Sequence, residues 1–258
     1  MRKPGPATLV ARWSLSELLW SPRTLAMIAL AATPLGLALA YRVALALRVT
    51  ESGGASVFST LVSGVFFPFV APMLSLVYAS GVVRDDVESG TMPYFLTRPL
   101  SRASFLTGKM LASLVITLAL VLPSLVLVYY VVVSPSGWAE VGARFPGLAR
   151  NLGIAALGLA AYNGIFALAG TLLKRPLLTG LFFIFGWQGI ATFVPGRARL
   201  ATVAHYMTSL MPDSSSGGIL AGLLGGRSST AASILALGAI AGATHALAIA
   251  AFARKEVR

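Results

Sequence analysis

The sequence predicts an all-α membrane protein: six transmembrane helices preceded by an interfacial helix, with a polar helical segment on the cytoplasmic side between spans two and three. Three observations carry this. Of the 258 residues, 57% are hydrophobic and only 11% charged, with a mean hydropathy of +0.83, whereas a soluble domain needs about 25% charged residues to keep its surface wet. Six apolar stretches are each long enough to cross a bilayer, which takes about 20 residues at 1.5 Å rise. The 20 Lys and Arg outnumber the 8 Asp and Glu, and the bases are unevenly shared between the two sides. Together these exclude a cytosolic enzyme.

The first element is residues 6–20. Leu9, Val10, Trp13, Leu18, Leu19 and Trp20 fall mostly on one helical face, with Arg12, Ser16 and Glu17 elsewhere. Two tryptophans flanked by bases suit a helix lying in the membrane interface. Arg12, Glu17 and Arg23 interrupt this run and it lacks a small-residue cleavage site, so it does not read as a signal peptide. Ser21-Pro22 breaks it, because the residue before proline avoids the α region. The six spans follow at 24–47, 58–83, 108–133, 148–173, 177–194 and 230–252. No stretch between them can build a core of its own, so 1–258 is one membrane domain. It divides into 1–23, spans one and two (24–83), a polar segment (84–107), spans three to five (108–194), an outer segment (195–229), and span six with a basic tail (230–258).

Six spans put both termini on one side. If that side is the cytoplasm, thirteen of the twenty bases lie on it: Arg2, Lys3, Arg12, Arg23, Arg84, Arg98, Arg102, Lys109, Lys174, Arg175, Arg254, Lys255 and Arg258. Seven, from Arg42 to Arg227, lie outside. The bias places both termini in the cytoplasm and the protein in the inner membrane. Topology and lipid headgroups account for the net charge of +12, and nucleic acid is an unnecessary partner. Cysteine is absent, which removes disulfides, thiolate metal sites and thiol nucleophiles. With His205 and His245 as the only histidines, no metal site is expected.

The polar segment between spans two and three is the exception to a sparsely charged chain, with seven charges across 84–109. A connector needs only about 4 to 6 residues. Asp85 or Asp86 can cap a short helix presenting Met92, Phe95 and Leu96; Pro99 ends it, and Ser101 can cap the next helix, which runs through Lys109 into span three. Buried aromatics with charges around them suit docking of another protein.

The run Glu88-Ser-Gly90-Thr91-Met-Pro-Tyr94-Phe95-Leu96-Thr97-Arg98-Pro99-Leu-Ser101-Arg102, followed by Gly108-Lys109, resembles the E-x-G-T-x-x-x-L-L-T-x-P-x-S-R…G-K stretch of ABC-2 type permeases, the membrane subunits of a branch of ABC transporters. Its detail covers about 25 residues; the interfacial helix, six spans and long segment after span five match in pattern. Pro93 departs from the family's helical run.

The resemblance implies a permease that pairs, as a homodimer, and contacts a separate cytoplasmic ABC ATPase through a coupling helix in this segment. The implied docking residues are Glu88, Gly90, Thr91, Tyr94, Phe95, Leu96, Arg98 and Arg102. ATP and Mg would be held by the partner, and this chain would bind no cofactor and be no enzyme. In agreement, no phosphate loop is present: Gly108-Lys109 is followed by Met110, and the earlier glycine position holds Ala103. The implied activity is ATP-driven transport, an exporter. The alternative is a mechanotransmission subunit that drives a periplasmic partner without passing substrate.

Beyond that segment, Leu200, Val203, Ala204, Met207, Leu210 and Met211 repeat at helical spacing and predict an amphipathic helix on the outer surface. The apolar run 217–225 is too short to cross and reads as a re-entrant or interfacial hairpin. Gly218, Gly222 and Gly226, and Gly238 with Gly242, have spacings that allow close helix approach, within one subunit or between two. Pro34, Pro68, Pro72 and Pro123 lie inside spans, as gating kinks or static bends. Asn163 and Gln188 are the candidate pathway or interhelical polar residues. Tyr162, Thr244 and His245 are the other polar groups at depth, and no Asp or Glu lies mid-membrane. That absence argues against coupling to an ion gradient. An intramembrane enzyme finds no converging nucleophile and base.

Overall fold

The computed structural model describes residues 5–50, 52–88, 101–188, 200–211 and 228–254, with the side chains of all of these except 6, 83–88 and 188. Among the described residues the chain is helix and turn without strand. Helix α1 (Pro6–Leu19) ends at Trp20, and Ser21 caps α2 (Pro22–Ala46), its Oγ accepting from the Arg23 amide. The second crossing is one continuous helical rod in three parts: α3 (Gly54–Leu61), a π-helical segment π1 (Val62–Val70) and α4 (Ala71–Glu88). Then come α5 (Arg102–Val133), a 3₁₀ turn at Ser134–Ser136 and α6 (Trp138–Leu172). Helix α7 (Pro176–Leu181) runs into a second π-helical segment, π2 (Phe182–Gln188). Short α8 (Val203–Ser209) and long α9 (Thr230–Arg254) complete the set.

Five of these rods are long and apolar enough to cross a membrane: Pro22–Ala46, Gly54–Val82, Arg102–Ser136, Trp138–Leu172 and Thr230–Arg254. The expected span at 177–194 corresponds to a shorter apolar helix, Pro176–Trp187, and its remainder lies outside the described residues. Helix α6 begins ten residues before the expected start at 148, directly after the turn at Gly137. Pro146 falls inside it. Gly137, at φ 99°, makes the left-handed turn that admits the start of α6.

The helices alternate between two ends. The proximal end holds α1, the starts of α2, α5 and α7, and the ends of α4, α6 and α9. The distal end holds the turn that follows α2 at 47–50 and the one at 134–137. At the distal end the Tyr129 hydroxyl donates to the Val141 carbonyl at 2.6 Å, and Phe58 meets the Tyr129 ring edge-on at 5.2 Å. The core lies around α6, whose apolar stretch is 56% buried against 11% for that of α9. Tyr129, Tyr162, Phe66, Phe67 and Phe166 are among its large fully buried side chains. Close backbone approach makes this possible. Gly170 of α6 faces the Ser80 carbonyl of α4, and Gly54 faces the Val132 carbonyl of α5, so a methyl at either would strike backbone.

The two π segments lie side by side, with the Phe69 and Phe185 rings 6.0 Å apart. Pro68 explains the first. In an α-helix its ring would clash with the Gly64 carbonyl and leave it without an amide partner. The wider i→i+5 turn moves that carbonyl opposite residue 69. Pro72 then sits in the first turn of α4, directly beyond the widened segment.

Candidate functional site: the proximal face

The docking residues expected from the sequence mark this face but are mostly not on view. Gly90, Thr91, Tyr94, Phe95, Leu96 and Arg98 lie outside the described residues, and Glu88 is placed by its backbone alone, as the last residue of α4. The expectation that Asp85 or Asp86 caps a separate short helix is corrected: both lie inside α4. Nothing from Arg84 to Glu88 breaks a helix, and the next breakers are Gly90 and Pro93. The segment between the two spans thus leaves directly from one membrane rod and enters another. Ser101 caps α5 as expected, its Oγ accepting from the Ser104 amide at 3.1 Å.

Arg102 follows the cap and reaches sideways, Nη1 donating to the Ala253 carbonyl at 3.4 Å. A guanidinium at the last described turn of α9 places a cation where the helix dipole favours one. One turn on, Phe105 stacks on Phe252 with centroids 6.3 Å apart. The start of α5 and the end of α9 are therefore joined at the proximal end.

The same first turns of α5 carry α1. A Cβ on Gly108 would lie 2.5 Å from the Ala7 carbonyl oxygen and 2.8 Å from the Val10 Cβ, so glycine is what lets α1 lie directly on α5. Val10, Ala11 and Ser14 turn inward and are buried, while Leu9, Trp13, Leu19 and Trp20 face outward. Lys109 is buried next to that seat, its Nζ 5.4 Å from the Phe105 ring centroid and 6.0 Å from that of Trp13, within the range of a cation–π contact. Sequence reasoning gave Gly108-Lys109 no structural role. The signal available was a glycine followed by a base at the start of an apolar helix, with an aromatic helix upstream to receive it.

Deeper in, Asn163 of α6 is fully buried and its Nδ2 donates to Ser113 Oγ of α5 at 2.7 Å, an interhelical hydrogen bond. Its Oδ1 has no partner among the described groups. The side chain of Gln188 is not described. Thr244 and His245 of α9 bond to carbonyls of their own helix, Ile240 and Ala241, and pack on Gly164 of α6. Tyr162 stacks on Phe166, nearly parallel at 8°. Among the described residues no three His, Asp or Glu side chains gather as a metal site.

Helix α8 departs from expectation. Its apolar face lies on protein: Val203, Met207, Leu210 and Met211 are buried and Met207 packs on Gly158, midway along α6, while Ala204, His205, Tyr206 and Thr208 stay part-exposed. Helical spacing identified the apolar face, but not that protein rather than lipid covers it. The 217–225 hairpin and Gly218, Gly222 and Gly226 lie outside the described residues. Gly238 and Gly242 of α9 have open space where a Cβ would stand, so they pack against nothing among the described residues.

Residues 29–257 match the family model described as ABC-2 family transporter protein. No curated protein matches the chain.

Proposed function

The chain belongs to the ABC-2 transporter family, and from that premise we propose that it is the permease subunit of an ATP-driven exporter. A separate nucleotide-binding ATPase docks on the 84–107 segment, through Glu88, Gly90, Thr91, Tyr94, Phe95, Leu96, Arg98 and Arg102. ATP and Mg are bound by that partner, and this chain performs no catalysis. Two copies pair in the inner membrane with their termini in the cytoplasm. The proximal face is then cytoplasmic, in keeping with the base distribution.

The observation that carries this reading is where the docking segment is rooted. It joins α4 to α5, and α5 in turn bears α1 through Gly108 and holds the end of α9 through Arg102. A push on the segment by closing ATPases would move these helices as one body, because packed interfaces shift between discrete arrangements rather than deform smoothly. Six crossings complete the picture. Helix α6 ends proximally and α9 starts distally, so the chain between them makes one net crossing, which 177–194 begins.

Purification of the tagged full chain in mild detergent tests the proposal. A stoichiometric ATPase is expected to copurify, and Phe95→Ala or Glu88→Ala to weaken its retention by about tenfold or more with membrane insertion unchanged. An ATPase retained equally by both variants would remove these residues from the contact.

A further inference from the structure

At the distal end, α3, α5 and α6 enclose a cavity of about 190 Å³. Its walls are mostly apolar and aromatic: Phe58 of α3, Tyr129 of α5 and Leu148 of α6, the two rings meeting edge to face. Besides Tyr129, the polar side chains lining it are Ser59, Arg144 and Asn151. Their hydrogen bonds are unequally complete. Tyr129 donates its proton to the Val141 carbonyl at 2.6 Å, and Ser59 donates to the Ser56 carbonyl at 2.9 Å. Arg144 is half-exposed, and an ion pair with Glu140 one turn earlier offsets its charge. Asn151 differs. It is 5% exposed, and its Oδ1 has no partner among the described groups. A buried acceptor left in that state costs stability unless an occupant supplies a proton.

The shape and the missing bond together narrow the occupant. An apolar cavity of about 150 Å³ accommodates benzene, so the space here admits one benzene-sized ring with a small substituent. A water molecule bonded to Oδ1 would leave most of that space empty against Phe58, Tyr129 and Leu148. An aromatic ring fills it and extends the edge-to-face cluster. Its substituent has to donate to Oδ1, because the hydroxyls of Tyr129 and Ser59 have already spent their protons. A carboxylate has no proton to offer at neutral pH, whereas a phenolic hydroxyl is neutral there and carries one. We propose that this cavity is a binding site for a small phenolic compound, its ring packed on Phe58, Tyr129 and Leu148 and its hydroxyl donating to Asn151 Oδ1. Recognition rests on one hydrogen bond and on ring packing, so it does not depend on the net charge around the cavity. It is also independent of the ATPase contact, and either proposal can fail without the other.

Fluorine NMR of the full-length protein in detergent, titrated with para-fluorophenol, para-fluoroanisole and para-fluorotoluene, tests this, with protein-free micelles as the reference for partition. The phenol is expected to bind about tenfold more tightly than the other two, which keep the ring but have no O–H. Asn151→Leu is expected to level the three, and to hold or raise the melting temperature because it removes the unpaired acceptor. Where that variant does not fold, the ligand series on the unaltered protein decides alone. Equal binding of the three rings would overturn the proposal, as would no binding above the micelle reference or a preference that survives Asn151→Leu. Tighter binding of para-fluorobenzoate would show that Arg144 selects the ligand in place of Asn151 and would overturn it too. Displacement of the phenol by an equal concentration of cyclohexanol would remove the aromatic assignment and with it the proposal.

Discussion

Gly108 shows how much one missing methyl decides. With 2.5 Å between the Ala7 carbonyl and the place of its Cβ, Gly108→Ala must lift α1 off α5 or strain both helices. The expected loss is about 1–3 kcal/mol, the usual scale of overpacking, seen as a lower melting temperature in detergent and faster tryptic cleavage after the exposed Arg12. Unchanged melting and cleavage would mean that the seat tolerates a side chain. Asn163 marks a different kind of residue effect. Its depth in an apolar span was plain from the sequence, since few polar residues lie there. Its partner was not, because Ser113 is 50 positions away on a helix whose rotation only packing sets. Charge density marked the 84–109 segment, and the proposed docking residues within it follow from its resemblance to the family's motif.

At the scale of the element, helix existence followed from composition, while helix ends and embedding did not. Apolar length locates a span, yet α4 continues past its apolar run because helical hydrogen bonding persists until a breaker intervenes, and α6 starts ahead of its own apolar run. Pro68 was visible as a kink or bend; the π segment that accommodates it, and its neighbour π2, were not, since a widened turn depends on what packs beside it. Helix α8 is the sharpest case. Its spacing is the same whether lipid or protein covers the apolar side. The chain lacks cysteine, so single introduced cysteines report cleanly. Met207→Cys is expected to resist a water-soluble maleimide by at least about tenfold relative to Leu200→Cys, because residue 207 is fully buried while Leu200 is 45% exposed. Comparable labelling would return α8 to the surface.

For the whole molecule, the bundle joins its first and last helices at one end. Arg102 on Ala253, Phe105 on Phe252 and Gly108 under α1 bring the starts of α1 and α5 and the end of α9 together. That arrangement puts α1 and the end of α9 at the same end of the bundle, as the proposed topology requires. The proposed orientation has a direct check. Trp20→Cys at the proximal end and Trp138→Cys at the distal end, both highly exposed, are expected to label from opposite sides in intact cells, with only residue 138 reached by an impermeant reagent added outside. The reverse pattern would invert the topology and place the docking segment outside, where no ATP is available.

Hydropathy alone determined that this chain lives in lipid, because apolar composition over about 20 residues leaves a backbone no other way to satisfy its polar groups. Charge placement determined which loop is unlike the rest, and its spacing pointed to the family. Tertiary structure decided what those signals cannot encode: that α1 is seated on α5 rather than merely floating at the interface, that protein covers the apolar face of α8, and that Ser14, Glu17, Arg23 and Lys109 share one cavity. The reason is physical. Partition into a membrane is a property of local composition, whereas close contact depends on the rotation and register of helices far apart in the chain, and steric fit between them sets both.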